Sequence, residues 1–299
     1  MHHLVHRGFA LAELLIALVL LGTITGVTYR LMVTGQRVYR AQTQRIDLQQ
    51  NIRAAASVLP AELRVLNARD GDILAMSSDS ITIRAMRLFA VACDTPSIDG
   101  GAITSRAVVI RNSLTFGSRM LTAGDSVLIY YEGMPGSRPP EDGWLRGRLS
   151  LDPVAARCAG PEPVAQARPG MRLTVDLAPL ESGRQNEPGL VPLGAPVWGY
   201  EITTYKAYRS PSDGLWYLGQ RLAGATTQPL FGPLAGASGL TLAFYDSTGA
   251  PTSTAADVTQ IGIAIRGRTA QPVRMPNGSE ADGVDSLVIR VALRNNRRF

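Results

Sequence analysis

The chain has 299 residues, 45% of them hydrophobic and 18% charged, which is ample material for a buried core and excludes a disordered chain. Its formal charge of +6 would suit an anionic partner, yet Lys206 is the only lysine and arginine supplies the rest, so the balance reads equally well as compositional bias. His2, His3 and His6 all precede the first apolar segment, and the G-x-x-x-x-G-K-[ST], G-x-S-x-G and S-x-x-K patterns are missing, so no enzyme activity, no cofactor and no metal centre is expected.

From Phe9 to Val33 the chain is apolar apart from Glu13, scattered threonines and Arg30, which gives the roughly twenty residues that a membrane-spanning helix needs. An ordinary signal peptide would end in a small-residue cleavage site, and the stretch after Gly26 offers none. Neither a signal peptide nor a plain anchor accounts for Glu13, because a carboxylate in hydrocarbon costs on the order of 2.5–3.5 kcal/mol and calls for a partner. Gly22 and Gly26 form a GxxxG spacing, which suits close helix packing but is common in apolar helices. Arg7 precedes the segment while Arg30, Arg37 and Arg40 end or follow it, opposite to the positive-inside tendency.

Gln36 to Arg69 continues the helix in polar form. Leu48, Ile52, Ala55, Leu59, Leu63 and Leu66 recur at spacings of three and four, so one face carries a buried stripe while Arg45, Gln49, Arg53 and Glu62 turn elsewhere. Packing on the protein's own sheet or on a partner helix would each satisfy that stripe. Pro60 removes one backbone hydrogen bond and predicts a bend near Ala56 to Leu59. Ala68 to Asp72 reads as a turn, and the pattern then changes to short β-prone runs between Gly, Pro, Asp and Ser clusters. Two hairpins stand out: residues 197–209 with 215–222, and residues 257–268 with 286–295. In the last run Leu287, Ile289, Val291 and Leu293 share one face, with Arg290 and Arg294 on the other. Residues 134–143 and 178–196 read as long surface loops. Asn277 to Asp285 clusters acids and glycines without EF-hand spacing, so it reads as a solvated hairpin loop. The fold class is therefore α+β, a long N-terminal helix on an antiparallel sheet.

The stretch G8-F9-A-L-A-E13-L-L-I-A-L resembles the class III signal of type IV pilins and type II secretion pseudopilins. Ala54 to Arg64 and the closing V-A-L-R-N are diffusely similar to PilW-type minor pilins and J-type pseudopilins. The resemblance implies a pilin-like fold and a prepilin peptidase that cuts after Gly8 and methylates Phe9. It also implies that Glu13 directs filament assembly. Ala10 and Ala12 depart from the usual Thr and Ile of that family. The implied organisation is a cytoplasmic leader (1–8), a transmembrane half-helix (9–33), an amphipathic half-helix (34–70) and an extracytoplasmic β-rich domain (71–299).

On that reading the protein sits in the inner membrane and then in a pilus or pseudopilus, as a structural subunit that joins or primes the filament. Its partners would be the peptidase, inner-membrane lipid and other pilins. A filament-borne adhesin or DNA-binding subunit is the alternative, with nucleic acid held by Arg290, Arg294, Arg297 and Arg298. Cys93 and Cys158 would then face an oxidising compartment and are expected to form a disulfide, against the alternative of two unpaired thiols.

Overall fold

The computed structural model describes residues 11–94, 105–133, 142–158, 168–178, 191–274 and 279–294. Its first element, α1 (Leu11–Arg64), is one helix of 54 residues, ~81 Å long at 1.5 Å per residue. Beyond Gly35 the helix contains no glycine and is rich in Ala, Arg, Gln and Leu, good helix formers with little entropy to lose. All six stripe positions are buried, Leu63 completely so, although Leu66 lies just past the helix end. Helical structure runs through Pro60 without a break.

The helix stops at Arg64 rather than reaching Arg69. The backbone N–H of Asn67 donates to the Asp72 carboxylate at 2.8 Å, and Gly71 takes φ +78°, so the chain turns there into the sheet. The Arg64 carbonyl, left without an intrahelical donor, accepts a 2.9 Å hydrogen bond from the backbone N–H of Arg294.

After the turn come β1 (Ile73–Met76), β2 (Ser80–Val91), β3 (Ser105–Arg111), β4 (Phe116–Gly117), β5 (Ser126–Tyr131), β6 (Gly143–Leu149), β7 (Val154–Arg157) and β8 (Pro169–Leu177). Then follow β9 (Pro196–Arg209), β10 (Trp216–Leu222), β11 (Gln228–Leu234), β12 (Leu240–Tyr245), β13 (Gln260–Arg268), β14 (Val273–Arg274), β15 (Glu280–Ala281) and β16 (Val284–Ala292). Apart from the small β14–β15 ribbon, these strands form one antiparallel sheet. Both expected hairpins are present, β9 with β10 and β13 with β16. Alternation along β16 holds at its end, where Val291 and Leu293 are buried.

Two cores share this sheet. In the first, Ala55, Leu59 and Leu63 of α1 pack on Ile81, Ile83, Tyr205, Leu218 and the apolar residues of β12, β13 and β16. The helix lies so close to β13 that a Cβ at Gly267 would sit 2.7 Å from Leu48 Cδ1. The second core is the inside of a barrel. Strands β2, β9, β5, β6, β8 and β3 pair in that order, and a bridge between Ala92 and Ile110 brings β3 back to β2. Val127, Ile129, Leu145, Leu173, Val175 and Ile110 fill it, all essentially inaccessible.

The long strands β2 and β9 run through both cores. A bulge between Met86 and Leu88 changes the phase of β2, so that Ile81, Ile83 and Ala85 face the helix while Leu88, Ala90 and Ala92 enter the barrel. The loop expected over 178–196 is a surface feature only in part. Val191 and Ala195 are buried in the barrel core, and Ala195 accepts a hydrogen bond from the Ala92 backbone. The 134–141 part of the other expected loop, and 179–190 of this one, lie outside the described residues.

Candidate membrane and assembly site

The N-terminal half of α1 projects from the β domain, and its apolar side chains are exposed among the described residues. Its most apolar 18-residue window has a mean hydropathy of 2.1 and no buried residue, so the helix is long and apolar enough to span a membrane. Leu14, Leu18, Leu21 and Ile24 are each more than half exposed. A free helix with this surface in water would present a large unbroken apolar area, far beyond what soluble monomers expose.

Glu13 lies in the first turn of the helix, where an acid complements the helix dipole. A Cβ added at Gly22 or Gly26 would meet nothing within 4 Å among the described residues, so the GxxxG face is open there. Gly8 and Phe9 lie outside the described residues. Thus Glu13, Gly22 and Gly26 share one uncovered helix. Of the arginines suggested for nucleic acid, only Arg290 and Arg294 lie among the described residues. Arg290 stacks on Tyr245, 4.5 Å from the ring centroid, while the Arg294 backbone caps α1. Arg297 and Arg298 lie outside the described residues.

A chain of ion pairs fixes the helix base to the β domain. Arg87, at the β2 bulge, reaches Glu62 of α1 at 2.8 Å and Glu201 of β9 at 3.2 Å. Glu201 also takes Arg119 at 2.7 Å, and Arg119 pairs with Asp125 at 2.6 Å. The girdle lies between the two cores, since Glu201 falls between Val197 in the barrel and Tyr205 beneath the helix. Burial lowers the pKa of Arg87, but its hydrogen bonds to Glu62 and Glu201 outweigh this and raise it overall. The hydrogen bond from Arg119 holds the Asp125 carboxyl below the usual carboxylate range. Burial pushes the Tyr205 hydroxyl up to about 12, so it stays neutral beside this girdle.

A second pair, Asp72 with Arg84 at 3.0 Å, is buried near the helix end. Desolvation raises the Asp72 pKa despite the Arg84 charge and the Asn67 backbone hydrogen bond. Cys93 and Cys158 are joined in a disulfide, with Cα atoms 5.2 Å apart. It ties the end of β2 to the end of β7 beside the barrel closure. Among the described residues no group of three His, Cys, Asp or Glu side chains is placed to hold a metal ion. Within the expected acidic loop, Asp282 pairs with Arg268, and Glu280–Ala281 forms β15.

Sequence pattern alone left two features unmarked. The girdle residues look like ordinary surface charges, because Glu62 and Glu201 are 139 positions apart (201 − 62) and only the sheet unites them. The row Trp198, Tyr200, Ile202, Thr204, Lys206, Tyr208 does carry a signal, its two-residue alternation along β9. No family model, no curated protein and no solved structure matches the chain.

Proposed function

We propose that this chain is a filament subunit of pilin-like fold. Its precursor is cut between Gly8 and Phe9, methylated on Phe9, and held in the inner membrane by the first half of α1. It then joins or primes a type IV pilus or a type II secretion pseudopilus. The observation that carries the reading is the division of labour within one helix. One half is exposed and apolar with an acid in its first turn, and the other is amphipathic and docked on a β domain.

The chemistry of assembly follows from the cost of the acid. Cleavage leaves an amine on Phe9, four residues before Glu13. When two helices lie side by side, the amine of one subunit neutralises the carboxylate of the next. An unneutralised carboxylate costs on the order of 2.5–3.5 kcal/mol in hydrocarbon, so the pair favours one axial register over others. Gly22 and Gly26 let a neighbouring helix approach closely. The girdle centred on Arg87 holds the β domain to the base of the same helix.

The test is the intact mass of the protein extracted from membranes, together with Glu13→Ala. The expected mass is that of residues 9–299 plus one methyl group. Glu13→Ala should insert as well as wild type, accumulate in the membrane and drop out of filaments. A retained leader, a cut beyond Val33, or equal filament incorporation of the variant would overturn the reading.

A further inference from the structure

Between its exposed apolar half and its docked half, α1 passes through a short stretch that belongs to neither. The β domain covers the helix from Ala41 onward, where Ala41 and Gln44 are half-buried and Leu48 is buried, whereas residues 34–40 are all exposed. At 1.5 Å per residue, Ala41 stands ~12 Å beyond Val33, the last residue of the apolar run. The headgroup layer on one side of a bilayer is about 5–7 Å thick, so a helix that spans the membrane up to Val33 carries this stretch through the headgroups and into the first water above them.

Between Glu13 and Asp47 the helix carries four arginines, Arg30, Arg37, Arg40 and Arg45, and no acid. At about 100° per residue, Arg30 and Arg37 fall within about 20° of one another and Arg40 within about 80° of both. Leu48 lies 18 residues, or five turns, beyond Arg30 (48 − 30), so these three arginines continue toward the apolar half the same helix face that docks the β domain. All three are exposed and form no ion pair among the described residues. Asp47, the next acid along the helix, is ~10 Å farther on than Arg40. On the domain side, Asp285 opposes Gly267, which lies beside Leu48; Asp282 is taken by Arg268, and Glu280 opposes Arg274. Tyr29 and Tyr39, 68% and 71% exposed, accompany the arginines, as aromatic side chains do at a membrane–water boundary.

We propose that Arg30, Arg37 and Arg40 bind the phosphates of anionic phospholipids at the membrane surface that faces the β domain. A guanidinium fork can meet two phosphate oxygens at once, which suits a headgroup that cannot leave the plane of the membrane. Arg37 stands ~6 Å beyond Val33, inside the headgroup layer, and Arg40 stands ~10 Å beyond it, within about one Debye length of the phosphates. Arg30 lies one turn inside the apolar run and reaches outward along its own apolar stem. Arg45, ~18 Å beyond Val33, is out of reach. A zwitterionic lipid carries an ammonium beside its phosphate and an anionic lipid does not, so three unpaired cations favour the anionic one. The inference rests on the reading that the first half of α1 spans a membrane, and on neither the cut after Gly8 nor assembly through Glu13.

The experiment places the full-length chain in nanodiscs and compares spin-labelled phosphatidylglycerol with spin-labelled phosphatidylcholine by electron paramagnetic resonance, which separates lipid held at the protein from free lipid. Wild type should hold phosphatidylglycerol about fivefold more strongly, the factor for one arginine at an anionic surface, and the preference should shrink as salt rises. Arg30→Gln/Arg37→Gln/Arg40→Gln should bring the ratio below about twofold, whereas Arg45→Gln should match wild type. Glycerol phosphate in solution should leave the held lipid in place; displacement would assign the arginines to a free phosphate and overturn the lipid. Flotation of the chain with phosphatidylcholine vesicles keeps the two readings apart. A chain that fails to float would overturn the membrane span and this site together. A chain that floats but shows no headgroup preference, a triple variant with the wild-type ratio, or an Arg45→Gln variant that loses as much as the triple one would overturn this site alone.

Discussion

At the scale of single residues, the charged side chains of the β domain act through their partners. Asp125 shows how. The hydrogen bond from Arg119, reinforced by the Thr122 backbone, lowers its pKa below the unfolded value near 3.8. The unfolded chain therefore binds the proton more readily. This contribution to stability is present above about pH 4 and is lost as the pH falls through the folded pKa. Melting temperatures between pH 5 and pH 2.5 should fall, and Asp125→Asn should flatten that fall. An acid profile identical in the variant would contradict the assignment. Asp72 has the opposite sign, since burial raises its pKa and its ionised form is held only by Arg84 and the Asn67 backbone. Removing Arg84 would leave an uncompensated buried charge, a far more costly change than losing the exposed end of the girdle.

At the scale of elements, α1 does two different jobs along one continuous backbone. Its first half is stable as a helix wherever backbone groups have no other partner, which is the condition inside a bilayer. Its second half is held by burial. Leu63 is completely inaccessible among Ile81, Ile83 and Tyr205, so Leu63→Ala should cost about 2–5 kcal/mol. Ile46, on the same helix but 53% exposed, should lose less than about 0.5 kcal/mol on replacement by Ala. Denaturant unfolding of the two variants in micelles checks the contrast. Equal costs would mean that the stripe does not dock as described. Pro60 is tolerated inside this half because the flanking Leu59 and Leu63 anchor both sides of it on the sheet.

At the scale of the molecule, two cores hang on two shared strands, and the disulfide serves the one farther from the helix. Cys93 and Cys158 are separated by 65 positions, and closing such a loop stabilises the fold by about 4 kcal/mol in the chain-entropy treatment. Reduction should therefore lower the melting temperature. It should also speed hydrogen exchange in β3, β7 and β8 before it affects the α1 stripe, since the bond lies beside the barrel closure and far from Leu59 and Leu63. Simultaneous loss of protection in both cores would show that they unfold as one unit. Single cysteine-to-serine variants should reproduce the effect of reduction.

Much of this architecture was legible in the amino-acid sequence, because its signals are local. The three- and four-residue spacing from Leu48 to Leu66 marked the docked face of the helix, β-prone runs between turn residues marked the hairpins β9–β10 and β13–β16, and two-residue alternation marked β16. The apolar run around Glu13 marked the segment fit for a membrane. These patterns depend only on the periods of helix and strand, which neighbouring residues impose on one another. The barrel was not legible. Its closure rests on a bulge at Arg87, on β2 finding β9 across more than a hundred positions, and on one bridge from Ala92 to Ile110. Nor was the girdle, since Glu62, Arg87, Arg119, Asp125 and Glu201 look solvated until the sheet brings them together. Local periodicity chose the elements, whereas long-range pairing, which depends on every intervening turn, chose which faces and charges would meet.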